Sequence, residues 1–333
     1  MCIRDSPVLA QDEIAGIDSQ QNYFGAKLGG KLQFDDLYFK RASASYRYFG
    51  DELSSREHHV VFTPTFEFEI VDELITTDFI FDYLKGGFER DLEGSSNSNN
   101  FNTLNVGVQP SLLVLRDNLT LNLGAAIFFS NDSQNDDSDF FIYPKVTASY
   151  RLLDEKVIAY GGLEGGLKQN TYRDAVQANP YVSPTLRLTN TRTQFDAYVG
   201  LKGKVSDVVS YNVRGGYISE KDKALFVNNR PEAIPLEGFD YGNSFSYRYD
   251  DLLTLNGYGE LNFNVNKKFK LGVSAEVFSY DTDDEQEAWN LPELKVSGLL
   301  DYQITDQWFA GAQLFVVGAV SYTHLTLPTI LLV

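Results

Sequence analysis

Charged side chains recur at alternate positions inside otherwise apolar segments of this chain. Glu67 and Glu69 alternate with Phe66, Phe68 and Ile70, and Asp78 and Asp82 punctuate TTDFIFDYL. Arg41 and Arg47 do the same in FKRASASYR, as do Glu164 and Lys168 in GGLEGGLK, Arg214 in YNVRGG, and Glu260 and Glu276 in their own segments. In a strand successive side chains point to opposite faces, so this spacing gathers charge on one face and apolar groups on the other. Charges of both signs along a water-filled wall would guide a solute or hold an inserted domain by ion pairs. The plainer alternative is a solvated wall whose charges neutralise one another.

Other reactive residue types lack the spacing that chemistry needs. NDSQNDDSD (131–139) and DTDDEQE (281–287) offer hard oxygen ligands but depart from the D-x-[DN]-x-[DN]-G order of a calcium loop, so they read as solvated acidic loops. His58 and His59 lie in or beside a loop at 50–58 with no Cys or third His nearby, which argues against a metal site. GGLEGG departs from G-x-G-x-x-G, and no helix is expected after it, which argues against a nucleotide. No G-x-S-x-G is present, and neither histidine is placed to serve a serine, so the chain reads as a non-enzyme without a cofactor.

The elements that position these residues are strands. Val60, Phe62, Phe66, Phe68 and Ile70 share one parity; so do Leu119, Leu121, Leu123, Ala125, Ile127 and Phe129, and again Phe269, Leu271, Val273, Ala275 and Val277. About fourteen strands are expected, near 22–34, 37–49, 59–71, 74–88, 101–115, 119–130, 140–152, 157–169, 192–204, 208–219, 245–265, 269–280, 293–304 and 308–318. Many exceed the ~5–6 residues usual in soluble sheets and suffice for the ~9–11 needed to cross a bilayer at a tilt. Tight turns at 35–36, 72–73, 116–118, 153–156, 205–207, 266–268 and 305–307 alternate with longer polar loops at 50–58, 89–100, 131–139, 170–191, 220–244 and 281–292. Short turns on one rim and long loops on the other characterise an all-β, antiparallel up-and-down transmembrane β-barrel.

Aromatic residues support the same reading. Phe34, Tyr38, Phe39, Tyr150, Phe263, Phe269, Tyr302 and Trp308 gather beside the short turns. Phe128, Phe129, Phe140 to Tyr143, Tyr247, Tyr249, Phe278 and Tyr280 gather toward the long loops, as interfacial girdles would. Pro64, Pro110 and Pro144 lie inside strands, where proline is normally confined to edges or bulges. The apolar stretch after Phe309 is interrupted by Gln313 and is not read as a spanning helix. A net charge of −18 argues against a nucleic-acid partner.

The ends read as foreign. MCIRDS and VSYTHLTLPTILLV resemble translated adapter ends of metagenomic fragments, and they carry the one Met and the one Cys of the chain. The expected division is a scar at 1–6, a truncated loop at 7–21, a barrel region at 22–319 and a second scar at 320–333.

Four strings carry a wider likeness: YGGLEGGLKQN (160–170), ANPYVSPTL (178–186), YVGLKGKVSDVVSYNVRGGYISEKDKALF (198–226) and EAWNLPELK (287–295). Together they resemble the barrel region of Bacteroidetes outer-membrane proteins of the TonB-dependent-receptor-like kind. The resemblance implies an outer-membrane location, a larger barrel of which this is the C-terminal part, an N-terminal plug domain, coupling to TonB, and energised uptake of a scarce nutrient. Outer-membrane lipid would be the constant partner. On that reading Tyr172, Tyr181, Phe226, Phe239 and Tyr241, in the two longest loops, are the aromatic side chains offered to a ligand. A non-transporting barrel (scaffold, adhesin or assembly partner) or a passive porin is the alternative.

Overall fold

The computed structural model describes residues 21–321, apart from 37, 71–72, 91–98, 134–136, 231–237 and 267, together with 326–327. Fourteen strands form one sheet in which each is hydrogen-bonded to its neighbours in sequence. They are β1 (Tyr23–Gln33), β2 (Phe39–Asp51), β3 (Arg56–Ile70), β4 (Glu73–Phe88), β5 (Asn99–Arg116), β6 (Leu119–Asp132) and β7 (Asp137–Leu153). The order continues with β8 (Val157–Lys168), β9 (Thr191–Lys204), β10 (Val209–Asn228), β11 (Phe245–Asn266), β12 (Phe269–Thr282), β13 (Leu294–Gln303) and β14 (Phe309–Val317). Every pairing is antiparallel. The chain therefore has the up-and-down meander of a transmembrane barrel wall. No helix among the described residues is long and apolar enough to cross a membrane, and the segment after Trp308 is strand β14.

Alternation determines the two faces. Val199, Val213, Leu255 and Val277 stand exposed on the outer surface, where hydrocarbon rather than water suits them. The opposite face carries the charges and meets folded chain. Turn chemistry fixes the short rim: Asp36 Oδ1 accepts from the N–H groups of Tyr38 and Phe39, and Ser206 Oγ from Val208 and Val209. Thr305 Oγ1 accepts from Gln307 and Trp308, and Asn266 Oδ1 from Lys268. Such side chains close a tight turn by standing in for a backbone acceptor.

The prolines sit where pairing lapses on one side. Pro64 faces Ala42 of β2, while pairing with β4 skips from Phe62 to Thr65. Pro110 faces Thr77 of β4, while pairing with β6 skips from Val108 to Ser111. Pro144 faces Ala125 of β6, and pairing with β8 begins only at Lys145. Each missing N–H thus falls at a gap in the ladder instead of breaking a bond.

Three stretches depart from the sequence expectation. The 50–58 loop shrinks to residues 52–55, because β3 starts at Arg56 and takes in both histidines. Strand β10 runs on to Asn228 rather than ending near 219, its pairing with β11 continuing past an irregularity between Glu220 and Lys223. One helix, α1 (Tyr172–Ala178), follows β8 where none was expected. It is separated from GGLEGG by the five residues 167–171, and its cap is a threonine, so it does not restore a nucleotide motif.

The main packed core lies between the sheet and a connection, not between two sheets. Phe49, Leu84, Phe88 and Phe101 of β2, β4 and β5 bury against Tyr172, Ala175, Val176, Val182, Leu186 and Leu188 of the β8–β9 connection. Tyr23, Phe226 and Tyr247 pack at its margin, drawing β1, β10 and β11 to the same body. A single segment can touch both groups of strands only if the sheet curves around it, so the charged face is the concave, inner one.

Candidate functional site: a charged inner wall under a folded-in loop

The sequence of the β8–β9 connection explains its local shape. Thr171 adopts extended backbone (φ −126°, ψ 153°), and its Oγ1 accepts the N–H of Asp174 at 3.1 Å, capping α1. Tyr172, Ala175 and Val176 then fall on one buried helical face. The base of the loop is tied by Asn170 Nδ2, which donates to Thr189 O at 2.7 Å and to Thr191 Oγ1 at 2.9 Å.

From that base the loop reaches across the concave side to β2 and β3. The Tyr172 backbone N–H donates to Glu57 Oε2 at 2.6 Å, and the phenol donates to Asp51 Oδ2 at 2.7 Å. Burial, reinforced by the Asp51 charge, holds the Tyr172 phenol far above its ordinary pKa, so it stays a neutral donor. Arg47 joins the loop to the wall: Nη2 lies 3.3 Å from Thr171 Oγ1 and 3.8 Å from Glu57 Oε1, and Nη1 lies 3.6 Å from Asp174 Oδ1. Arg47 also donates to His59 Nδ1 at 2.9 Å, which leaves the ring proton on Nε2 to meet Asp82 Oδ1 at 2.6 Å. The Glu57 side chain is wholly buried and that of Arg47 is 14% exposed. Around this charge cluster the Tyr172 ring packs edge-on against Phe49 (5.5 Å) and Phe88 (5.1 Å).

The second half of the loop is attached differently. Val182 bridges Phe245 of β11 in parallel, with Ser183 N–H donating to Phe245 O at 2.7 Å and Phe245 N–H donating to Tyr181 O at 3.0 Å. Tyr249 of β11 donates through its hydroxyl to Arg187 O at 2.9 Å and accepts from Thr189 N–H at 3.0 Å. Asn190 Nδ2 reaches Asn105 of β5 and Ser130 of β6, both at 3.0 Å.

The remaining inner wall carries two sets of paired charges. On β2–β4, Arg41 Nε donates to Thr65 Oγ1 at 2.8 Å and its Nη2 lies 3.4 Å from Asp78, to which Thr65 also donates. On β7–β10, Arg214 lies 3.2 Å from Asp196 and 4.3 Å above the Tyr198 ring. Tyr198 donates to Glu164 at 2.8 Å, and Glu164 lies 4.0 Å from Lys145. Glu260 accepts from Tyr258 at 2.8 Å and from Asn262 at 2.7 Å, while Glu276 stands in register with Tyr258 and Lys295.

Not every residue singled out in the sequence joins these sets. Glu67 and Glu69 pair in register with Thr76 and Leu74 near the short rim, away from both sets. Lys168 is separated from Glu164 by a bulge before Gly166 that offsets the alternation. Leu167, rather than Lys168, therefore packs on the Phe128–Tyr143 cluster. Among the loop aromatics, Tyr172 and Phe239 are buried, and the Tyr172 ring packs on Phe49 and Phe88. Phe226 belongs to strand β10 and packs against Tyr247 with the rings tilted at 46° and their centroids 4.9 Å apart. Tyr181 is exposed and Tyr241 half-buried.

Sequence reading missed Asp51, Glu57, Thr171, Asp174 and Asp196, and weighed His59 only as a metal ligand or a base. Only the helix had a visible signal: a capping threonine followed by Asp174 and by apolar residues at helical spacing in TYRDAVQAN. Among the described residues no group of three or more His, Cys, Asp or Glu is placed to hold a metal ion.

No protein-family profile matches the chain, and no curated protein matches it in sequence. Solved structures do. The siderophore receptor PirA from Acinetobacter baumannii superposes with a TM-score of 0.60 at 14% identity, over 90% of this chain and 51% of that one. The copper transporter OprC gives 0.58 at 15% identity, over 90% and 52%. The pyoverdine outer membrane receptor FpvA from Pseudomonas aeruginosa PAO1 gives 0.56 at 12%, over 90% and 51%. The chain thus spans about half the length of these proteins, and at such identities the likeness is one of fold: the fourteen strands have the fold of the barrel wall of outer-membrane receptors.

Proposed function

We propose that this chain is part of the barrel of an outer-membrane receptor of the TonB-dependent type, taking up a scarce nutrient. The observation that carries the reading is the pairing of an apolar outer face with a charged, concave inner face in a sheet of fourteen strands. That sheet overlies half of a siderophore receptor and half of a copper transporter. Lipid would cover the outer face. A plug domain would contact the Arg41–Asp78 and Arg214–Asp196 pairs on the inner one, and TonB would supply the energy through that plug. The chemistry of the structural neighbours points to metal chelates or metal ions as the cargo to try first. The adapter-like ends and the Bacteroidetes resemblance belong to the same proposal.

Trp289 provides the test, since it sits in the β12–β13 connection on the long-loop rim with its indole N–H on Glu285 at 2.8 Å. The full chain in detergent is titrated with ferric catecholate, ferric hydroxamate and Cu(II) while tryptophan emission is followed. Saturable quenching that Trp289→Phe removes is the expected result. Absence of saturable quenching with all three, together with steady ion conductance in a planar bilayer, overturns the receptor reading in favour of a passive pore.

A further inference from the structure

The β8–β9 loop is held by unlike means at its two ends. Residues 181–189 are joined to β11 by the two backbone N–H···O bonds that make the Val182–Phe245 bridge and by the double contact of the Tyr249 hydroxyl with their backbone. Residues 171–176 rest on β2 and β3 without a backbone-to-backbone bond among the described residues: every contact ends on a side chain of the wall, centred on one cation shared by two carboxylates.

The second attachment is also incompletely satisfied. Arg47 Nε, Glu57 Oε1 and Ser55 Oγ are buried without a hydrogen-bond partner. No buried side-chain atom of residues 180–190 is in that state among the described residues. A buried ion pair returns its desolvation cost only when its remaining donors and acceptors are also met, and a half-satisfied network is the weak point of a packed region. Local opening starts where such deficits collect, while neighbouring backbone-paired segments stay closed. Between the two attachments lies Asn179-Pro180, where α1 ends and Pro180 is exposed.

We propose that residues 171–179 form a one-ended gate. The segment lifts from β2 and β3 by breaking the Arg47–Glu57–Asp174 latch, pivots at Asn179-Pro180, and leaves residues 181–189 bonded to β11. Opening uncovers the inner wall on the β1–β5 side, where Arg47, His59 and Asp82 stand. The movement can be read whether or not a solute passes, so its test stands apart from that of the receptor reading.

Two reporters separate the two ends in a Cys2→Ser background: Ala175→Cys under α1 and Val182→Cys at the β11 bridge, both at positions with 0% exposure. Each is reacted with a maleimide in the full chain, folded in detergent, with Arg47 intact and as Arg47→Met. The expected result is labelling at 175 accelerated about tenfold or more by Arg47→Met, with labelling at 182 unchanged. Equal acceleration at both reporters overturns the proposal, because the loop then releases as a whole. Acceleration at neither also overturns it, because ring packing then holds α1 without the latch. Should Arg47→Met fail to fold, Arg47→Lys retains the charge but loses the planar fork, and it should accelerate labelling at 175 to a smaller extent. An unchanged rate in that folded variant overturns the proposal equally.

Discussion

The backbone N–H of Tyr172 meets the Glu57 carboxylate at 2.6 Å, joining residues 115 apart in the chain. The bond carries the first turn of α1 across the concave side of the sheet. Because Glu57 is the second residue of β3 and Tyr172 the first of α1, one contact ties a hairpin on one flank to a connection on the other. The aromatic rings around it then exclude water, and exclusion of water makes the charge cluster both strong when complete and costly when broken.

The Tyr172 ring should therefore hold the loop more than it holds the sheet. Tyr172→Ala removes a buried aromatic side chain, a change that costs about 3–5 kcal/mol where the surroundings cannot collapse. Amide hydrogen exchange should show protection lost across residues 171–179. The β6–β7 ladder, paired from Leu119↔Tyr150 to Asp132↔Asp137, should exchange as before. Equal loss in both regions would mean that loop and sheet form one cooperative unit.

Close approach beneath the same cluster gives a second expectation. A Cβ at Gly86 would lie 2.2 Å from Arg56 O and 2.4 Å from the Phe101 ring, so neither neighbour can clear it without moving backbone or a buried ring. Gly215 has nothing within 4 Å of the same position. Gly86→Ala should destabilise by about 1–3 kcal/mol in urea unfolding, as overpacking does. Gly215→Ala should be close to neutral, and a matching loss at both positions would contradict the packing described.

What was legible in the sequence and what was not divides along physical lines. Strand periodicity is local, so the order and parity of the fourteen strands from Tyr23 to Val317 could be read, though not every boundary, and the turn at Asp36 announced itself through its side chain. The parity of charges was legible only where no bulge intervened: Arg41 and Asp78 meet, but the bulge before Gly166 separates Lys168 from Glu164. The burial of Tyr172 and Phe239 was not legible, because an aromatic residue in a loop looks the same in sequence whether exposed or buried. Nothing near Arg47 in sequence shows that its partners are Thr171 and Asp174. Those contacts depend on the curvature of the whole sheet.

Arg214 and Asp196 offer a measurable coupling on the inner wall. They lie 3.2 Å apart with side chains 30% and 27% exposed, and Glu164 approaches through Tyr198. A double-mutant cycle with Arg214→Met and Asp196→Asn should give a coupling near 1 kcal/mol that shrinks as salt is raised, as expected for a partly solvated pair. Coupling independent of salt would mean that water does not reach this wall.

The two faces of β12 offer the most direct test of orientation. Val273 faces outward, in register with Leu261 and Gly298. Ser274 faces inward, its Oγ 2.8 Å from Ser297 Oγ, in register with Glu260. A lysine at 273 would place its charge in hydrocarbon, at a cost of about 2–4 kcal/mol near the midplane and less toward either interface. A lysine at 274 would enter the water-facing side beside the Glu260 carboxylate and should cost little. Urea titration of the two variants folded into lipid vesicles compares them directly. Val273→Lys should be the less stable, and equal stability would mean that the apolar face of this sheet does not meet lipid.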